Sequence, residues 1–328
     1  MEVLSTSDVD LRRAAASLAA GLLVAFPTET VYGLGADAFN PVSIAKIFEA
    51  KKRPTFDPLI IHIAEYDAVF RITDRSSMNA VMMKRLSMLS ERFWPGPLTV
   101  ILPKRGEIPN IATAGLATVA VRLPSHPVAQ ALIRYSTGAV AAPSANSFGC
   151  LSPTRAEHVK SQLGDKVDFI IDGGKTEVGL ESTILDLTVD PPGILRLGGI
   201  PGEEIEALIG PVVLSLQSSP GSLLSPGQLK SHYAPRAPLV LYRQGELDAI
   251  PPEPDEGRLY FSRTKNKIIA PERTRILSEN SDLAEAAANL FDMLHELDNL
   301  GLTLIRAEEA PASGLGEAIN DRLRRASV

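Results

Sequence analysis

Leu22-Leu23-Val24-Ala25-Phe26, followed by Pro27-Thr28-Glu29-Thr30-Val31-Tyr32-Gly33-Leu34-Gly35, is the stretch on which the reading of this chain turns. The first five residues are an apolar run with the length and composition of a buried strand. The next nine are polar and punctuated by glycine, and read as the loop leaving that strand. Open α/β sheets bind ligands just beyond the carboxyl ends of their strands. Gly33 and Gly35 would let backbone approach a ligand closely, and Thr28, Thr30 and Tyr32 supply hydroxyls. An ordinary strand-to-helix loop fits the stretch equally well, so the rest of the chain has to decide.

Working outward, Asp8–Ala20 reads as a helix stopped by Gly21. Asn40-Pro41 is a helix start, with Asn at the cap and Pro in the first turn. Strands are expected at Leu59–Ile63, Leu98–Leu102, Thr118–Leu123, Ala139–Ala142, Phe169–Ile171, Thr183–Leu187 and Ile194–Leu197. Helices are expected at Ser76–Phe93, His126–Tyr135, Thr154–Leu163 (Thr154 as cap) and Gly202–Ile209. Some strands are directly consecutive, which predicts an α/β unit with a mixed sheet. Between Ser215 and Pro238 the periodicity stops, in segments such as Gln217-Ser218-Ser219-Pro220-Gly221-Ser222, and this is the linker. Beyond it, strands at Pro238–Tyr242, Arg258–Phe261, Thr274–Leu277 and Leu302–Ile305 alternate with helices at Asp282–Leu297 and Leu315–Arg325. That pattern predicts a smaller Rossmann-like α/β domain, without a phosphate-binding glycine fingerprint.

The 328 residues suit two domains, with 45% hydrophobic and 22% charged residues. A net charge of -6 argues against a protein whose main affinity is for nucleic-acid backbone, leaving room only for a local basic patch. The single cysteine, Cys150, rules out an internal disulfide framework and, with five scattered histidines, argues against a structural zinc site. No apolar run approaches a membrane span, and the N-terminal residues lack a signal-peptide pattern, so a cytoplasmic location is expected.

Chemistry-bearing residues gather at predicted strand ends. Lys51-Lys52-Arg53-Pro54 closes a helix, where cations are favourable anyway, and Arg53 could also fork onto phosphate. In Thr118-Val119-Ala120-Val121-Arg122-Leu123-Pro124, residues 118, 120 and 122 share a face. A buried Arg122 needs a partner, either an internal carboxylate or a ligand carboxylate. Ala142-Pro143-Ser144-Ala145-Asn146 leads to Ser152-Pro153-Thr154, with small side chains, exposed N–H groups and adaptable hydroxyls. Glu181-Ser182-Thr183 and Arg196 in Leu195-Arg196-Leu197-Gly198-Gly199 repeat the theme. No Gly-x-Ser-x-Gly elbow or paired Cys–His is present. The inventory fits binding and charge stabilisation of an anionic substrate better than acid–base hydrolysis.

Taken together, the stretches beginning at Pro27, Lys52, Trp94, Arg122, Ala142, Ser152, Glu181 and Arg196 resemble, in order and spacing, the motifs of the YrdC-type threonylcarbamoyl-AMP synthase family. Ser225-Pro226-Gly227-Gln228-Leu229-Lys230-Ser231-His232-Tyr233-Ala234-Pro235 resembles the linker of that family's long form. The resemblance implies a YrdC-like catalytic domain over 1–212, a linker and lid over 213–237 and a small C-terminal domain over 238–328. It implies that L-threonine, bicarbonate and ATP give threonylcarbamoyl-AMP and pyrophosphate, with Mg2+ carried by the ATP phosphates and not by a protein cage. The product would pass to downstream threonylcarbamoyl-transferase proteins for tRNA modification. By the same resemblance Thr30, His62, Arg122, Ala142 and Ser182 surround threonine. Arg53, Asp57, Thr118, Ser144, Asn146, Ser152, Arg196 and Tyr233 surround ATP, and Arg53, Arg196 and Lys51 are the catalytic candidates. Asp57 departs from the asparagine expected there, and a carboxylate beside triphosphate must bind metal or turn away. Phe148 likewise stands where a small residue is expected.

Two other readings stand beside this one. A carbamoyltransferase of the hydrogenase-maturation type has a related domain but carries cysteine-rich zinc modules. A non-catalytic RNA-binding module would spread its basic side chains along an open groove instead of converging them in a closed pocket.

Overall fold

The computed structural model describes residues 1–216, 225–226, 232–263 and 270–327. The stretch at 22–35 is a hairpin. Strand β2 (Val24–Phe26) runs antiparallel to β3 (Gly33–Asp37), with Val24 opposite Gly35 and Phe26 opposite Gly33. The polar loop is therefore 27–32, and it returns to the sheet instead of leading to a helix. Gly35 corrects its predicted role. A Cβ there would lie 2.9 Å from Phe26 and 3.0 Å from Val140, so its small size serves packing within the sheet.

Around this hairpin the first unit contains β1 (Glu2–Leu4), α1 (Asp8–Ala19), α2 (Pro41–Lys51), β4 (Ile60–Ile63), α3 (Val69–Ile72), α4 (Ala80–Phe93), β5 (Leu98–Pro103) and β6 (Thr118–Arg122). It continues through α5 (Pro127–Tyr135), β7 (Ala139–Ala141), α6 (Ala156–Leu163), β8 (Phe169–Ile171), β9 (Thr183–Asp186), β10 (Gly193–Arg196), α7 (Gly202–Ile209) and β11 (Val213–Leu214). The strands form one mixed sheet in the order β1-β8-β2-β3-β7-β4-β6-β5-β9-β10-β11. Val213 and Leu214, assigned to the linker from the sequence, pair parallel with β10.

Local chemistry sets the helix ends. Asn40 accepts from the N–H groups of Val42 and Ser43 with Pro41 behind it, and Lys52 closes α2 in the left-handed conformation at φ 54°. Thr154 is not the cap of α6. Arg155 holds that position without a side-chain bond, while His158 Nδ1 accepts from the Thr154 N–H at 3.3 Å.

The second unit is a four-stranded parallel sheet in the order β12 (Leu239–Tyr242), β15 (Leu304–Glu308), β13 (Glu256–Ser262), β14 (Thr274–Ser278). Helices α8 (Leu283–Asp298) and α9 (Leu315–Ala326) pack on it and on each other. One apolar core runs from Leu23 and Ile61 through Tyr233 to Phe291 and Leu323, so the two units share it. A second cluster, including Leu18, Phe26, Leu132 and Val140, packs under α1 and α5.

The alternation of β4 and β6 positions the site. Ile61, Ile63, Val119 and Val121 enter the main core. Ile60 and Ala120 belong to a small patch on the opposite face, with Ile101, Ile184 and Leu195. His62 and Arg122 follow on that second face, opposite each other in register.

Candidate active site

A cleft opens where these strands end, with about 540 Å3 of space counting the part open to solvent. It is lined by the 28–33 loop, the 142–144 loop, the ends of β4, β6 and β10, and Pro226, His232 and Tyr233.

The 28–33 loop is held by its own hydroxyls. Thr28 Oγ1 donates to the Val31 carbonyl at 2.6 Å and accepts from the N–H groups of Thr30 and Val31. Its hydroxyl proton is thus committed, so across the 2.8 Å Thr28–Thr30 contact the donor is Thr30. Thr30 keeps its lone pairs for a donor in the cleft. Tyr32 N–H bonds the Pro153 carbonyl and Ala145 N–H bonds the Tyr32 carbonyl, each at 2.8 Å, tying this loop to the 142–153 segment.

Arg122 is paired from within the protein. Its Nη2 lies 2.7 Å from Glu29 Oε1, with both side chains buried. The second Glu29 oxygen, Arg122 Nε and His62 Nδ1 are buried without hydrogen-bond partners among the described residues. Buried polar groups are nearly always satisfied, so three orphans together mark a place where a ligand completes the set. Burial, reinforced by the Arg122 charge, holds the His62 imidazole down to about 3, so this ring is neutral near pH 7.

On the other side, Arg53 Nε and Nη2 donate to the carbonyls of Asp57 (3.2 Å) and Pro58 (2.9 Å), and Nη2 lies 2.8 Å from Asp57 Oδ1. Asp57 is therefore Arg53's buried counter-charge. Burial raises its carboxyl above the ordinary value, and the neighbouring Arg53 limits that rise. Among the described residues Arg196 bonds no carboxylate; Nε and Nη2 both donate to Ser182, to its carbonyl and to its Oγ, each at 3.0 Å. Glu181 accepts the Ser152 hydroxyl on Oε1 (2.5 Å) and pairs with Arg322 Nε through Oε2 (2.8 Å). Burial alone would raise Glu181, but the Arg322 and Arg196 charges hold it at about 2. Arg53, Arg122 and Arg322 thus each meet a carboxylate, Asp57, Glu29 and both Glu181 and Asp321 respectively, while among the described residues Arg196 bonds none.

Lys51 is fully buried, and its Nζ donates to the carbonyls of Ser144 (2.6 Å) and Asn146 (2.5 Å) and to Asn146 Oδ1 (3.3 Å). Asn146 spends its amide on the Ser147 and Cys150 carbonyls. Burial and Arg53's charge push the Lys51 ammonium well below its ordinary value. Across the cleft, Tyr233 adopts the left-handed conformation at φ 65°. Its ring packs at 5.6 Å from Phe291 and 4.1 Å from His232, and the Arg322 guanidinium lies over it at 4.9 Å. His232 also contacts Phe148 edge-on at 5.8 Å, and burial holds its imidazole at about 3 although Glu181 pulls the other way.

This geometry agrees with what the chain is similar to. A family model described as Telomere recombination matches residues 16–198, and one described as Threonylcarbamoyl-AMP synthase, C-terminal domain, matches residues 200–328. The threonylcarbamoyl-AMP synthase of Pyrococcus abyssi is 42% identical over 97% of this chain and 94% of its own length. The chain belongs to the threonylcarbamoyl-AMP synthase family. The Bacillus subtilis synthase is also 42% identical, over 99% of this chain and 94% of its own. The crystal structure of P. abyssi Sua5 complexed with L-threonine is 38% identical, with a TM-score of 0.89 over 100% of this chain and 98% of that one. The YrdC-like mixed sheet and the smaller parallel-sheet domain expected from the sequence are those of this synthase family.

Of the residues singled out from the sequence, Thr30, Arg53, His62, Arg122, Ala142, Ser144, Arg196 and Tyr233 line the synthase cleft. Asp57, Lys51, Asn146, Ser152 and Ser182 stand directly behind it, each bonded to a lining residue. Thr118 sits at the far end of β6, four residues from Arg122 on the same face, and does not line the cleft. Gly227–Ser231 of the linker motif lie outside the described residues. Sequence reasoning missed Glu29 as Arg122's partner and Arg322 altogether. Arg322 did leave a trace, because it falls in the apolar stripe of α9 with Ile319, Leu323 and Ala326.

Proposed function

We propose that this chain joins L-threonine, bicarbonate and ATP into threonylcarbamoyl-AMP and releases pyrophosphate. The observation that carries the reading is convergence: Arg53, Arg122 and Arg196 close on one cleft that also holds unpaired buried polar atoms. An RNA-binding module would expose those cations along a groove. The zinc modules of a carbamoyltransferase have no counterpart in a chain with one cysteine.

Arg122, with its unpaired Nε beside Glu29, suits the threonine carboxylate. For the threonine hydroxyl the geometry favours Thr30 over Ser182, whose Oγ is already engaged by Thr99 and Arg196. The amine must be neutral to attack bicarbonate, which gives the carbamate as a C–O bond breaks and water leaves. His62, held near 3, takes up a proton too weakly to serve as that step's base and acts as a neutral hydrogen-bond partner. The carbamate oxygen then attacks the α-phosphorus and pyrophosphate leaves. Arg53 and Arg196 stabilise the charge that develops, and positioning supplies much of the rest. Mg2+ fits this site as a passenger of the triphosphate. Among the described residues no three His, Cys, Asp or Glu side chains cluster as ligands, and the cleft's carboxylates are each paired with arginine. When bound, it neutralises phosphate charge. Pro226, His232 and Tyr233 form the wall that excludes water. The product would be consumed in the cytoplasm by transferases that modify tRNA adenosine. Among the described residues no helix is long and apolar enough to cross a membrane.

The test is pyrophosphate release from ATP and bicarbonate with threonine, serine, valine or no amino acid, beside Arg122→Ala. Release that depends on threonine and is lost in the variant supports the reading. Release indifferent to threonine in a folded, Mg2+-containing sample would sink it.

A further inference from the structure

The C-terminal unit touches the cleft wall through the Phe291 ring, which packs on Tyr233, and through a buried cation. Arg322 of α9 has its side chain only 1% exposed. Nε pairs with Glu181 Oε2 at 2.8 Å, Nη2 donates to the Leu197 carbonyl at 2.8 Å, and Nη1 pairs with Asp321 at 2.7 Å. The flat face of the guanidinium covers the Tyr233 ring. These partners belong to separate parts of the cleft. Glu181 lines it and holds Ser152, Leu197 directly follows Arg196, and Tyr233 closes it from the linker. Only a planar cation with several fixed donors can bond in two directions and stack in a third; a lysine ammonium has no face.

We infer that Arg322 is a positioning residue for the nucleotide half of the cleft: it seats the Tyr233 ring and holds Glu181 and the end of β10 beneath it. This rests on the synthase reading. Arg322 does not line the cleft, so it acts through those neighbours. Tyr233 already holds a backbone conformation that non-glycine residues seldom adopt, and it needs outside support to stay there. Without that seat the wall admits water, to which carbamates and mixed anhydrides are vulnerable.

The experiment uses the full chain as wild type, Arg322→Lys, Tyr233→Ala and the double variant. It reads pyrophosphate and intact threonylcarbamoyl-AMP separately, with calorimetric binding of ATP and of threonine alongside. Arg322→Lys should raise the ATP KM and Kd about tenfold, leave those of threonine within about twofold, and lower the ratio of intact adenylate to pyrophosphate. The double variant should lose less than the sum of the two single losses, because both remove the Tyr233 seat, while the Glu181 and Leu197 bonds are disturbed only through Arg322. Unchanged ATP constants with an unchanged product ratio, or additive effects in the double variant, would overturn the inference. If Arg322→Lys does not fold, Tyr233→Leu removes the aromatic face while leaving every Arg322 ion pair, and the same ATP weakening is expected; its absence overturns the inference. ATP binding needs no turnover. A wild type that fails to make the adenylate therefore refutes the synthase reading, while the binding comparison still judges Arg322.

Discussion

Replacing Glu181 by Gln tests the charge network behind the cleft, because Gln has the shape and neutrality of a protonated Glu. Glu181 is buried against Arg322 and Ser152, with the Arg196 charge close by, and is held at about 2 against an ordinary 4.5. At about 1.4 kcal/mol per pH unit of displacement, its ionised form stabilises the fold by about 3 kcal/mol. That agrees with the roughly 3–5 kcal/mol cost of removing one partner from a buried ion pair, and exceeds the ~1 kcal/mol of a neutral hydrogen bond. The sign follows from the depressed value. The stability is fully present above pH 4.5 and is lost as pH falls toward 2. The gap between wild type and Glu181→Gln should therefore be about 3 kcal/mol at pH 7, about 1 kcal/mol at pH 3, and close to nil at pH 2. Urea unfolding followed through Trp94, the chain's one tryptophan and a residue of the first unit, reads it. A gap that is the same at pH 7 and pH 3, or below about 1 kcal/mol at pH 7, would refute the reasoning.

Other outcomes follow from the same geometry. Lys51→Met leaves the Ser144 and Asn146 carbonyls unsatisfied, so the ATP KM should rise more than kcat falls; equal losses in kcat and kcat/KM would instead put Lys51 in the reaction itself. Threonine should be preferred over serine by only about 10–200-fold in kcat/KM, since one methyl separates them, and over valine by ~10^4 because Thr30 would be left unpaired; competition assays decide this. His158 stacks on His295 of the second unit at 3.8 Å, and burial, reinforced by the His295 charge, holds it at about 3. A lowered histidine supplies stability above pH 6.5 that fades as pH falls toward 3, so His158→Gln should flatten that part of the thermal-stability profile.

Much of the fold could be read locally. Asn40 and Asp282 stand at helix starts as expected, Asn79 caps α4 three residues after the expected start at Ser76, and the alternation of β6 places Arg122 on the cleft face. What could not be read depends on partners distant in the chain. Strand β1 is three residues whose pairing lies at Phe169–Ile171, and no local pattern announces it. Glu29 looked like one more loop residue because Arg122, its counter-charge, is 93 positions away. Gly35 read as room for a ligand because sequence does not reveal that Phe26 and Val140 press on it from neighbouring strands. Arg322 drew no notice in the sequence because its partner Glu181 is 141 positions away.

The His232–Ala234 turn has a mechanical consequence. His232 N–H is bonded to the Arg325 carbonyl in the second unit, and Ala234 N–H to the Gly149 carbonyl in the first. Arg155 and Lys175 of the first unit both grip Asp292 of the second. The covalent linker is therefore not what joins the halves; this turn acts as a rivet through both plates. A chain nicked upstream of His232 would keep its halves clasped as a heterodimer. The peptide connection then serves mainly to raise the local concentration at which the rivet is set.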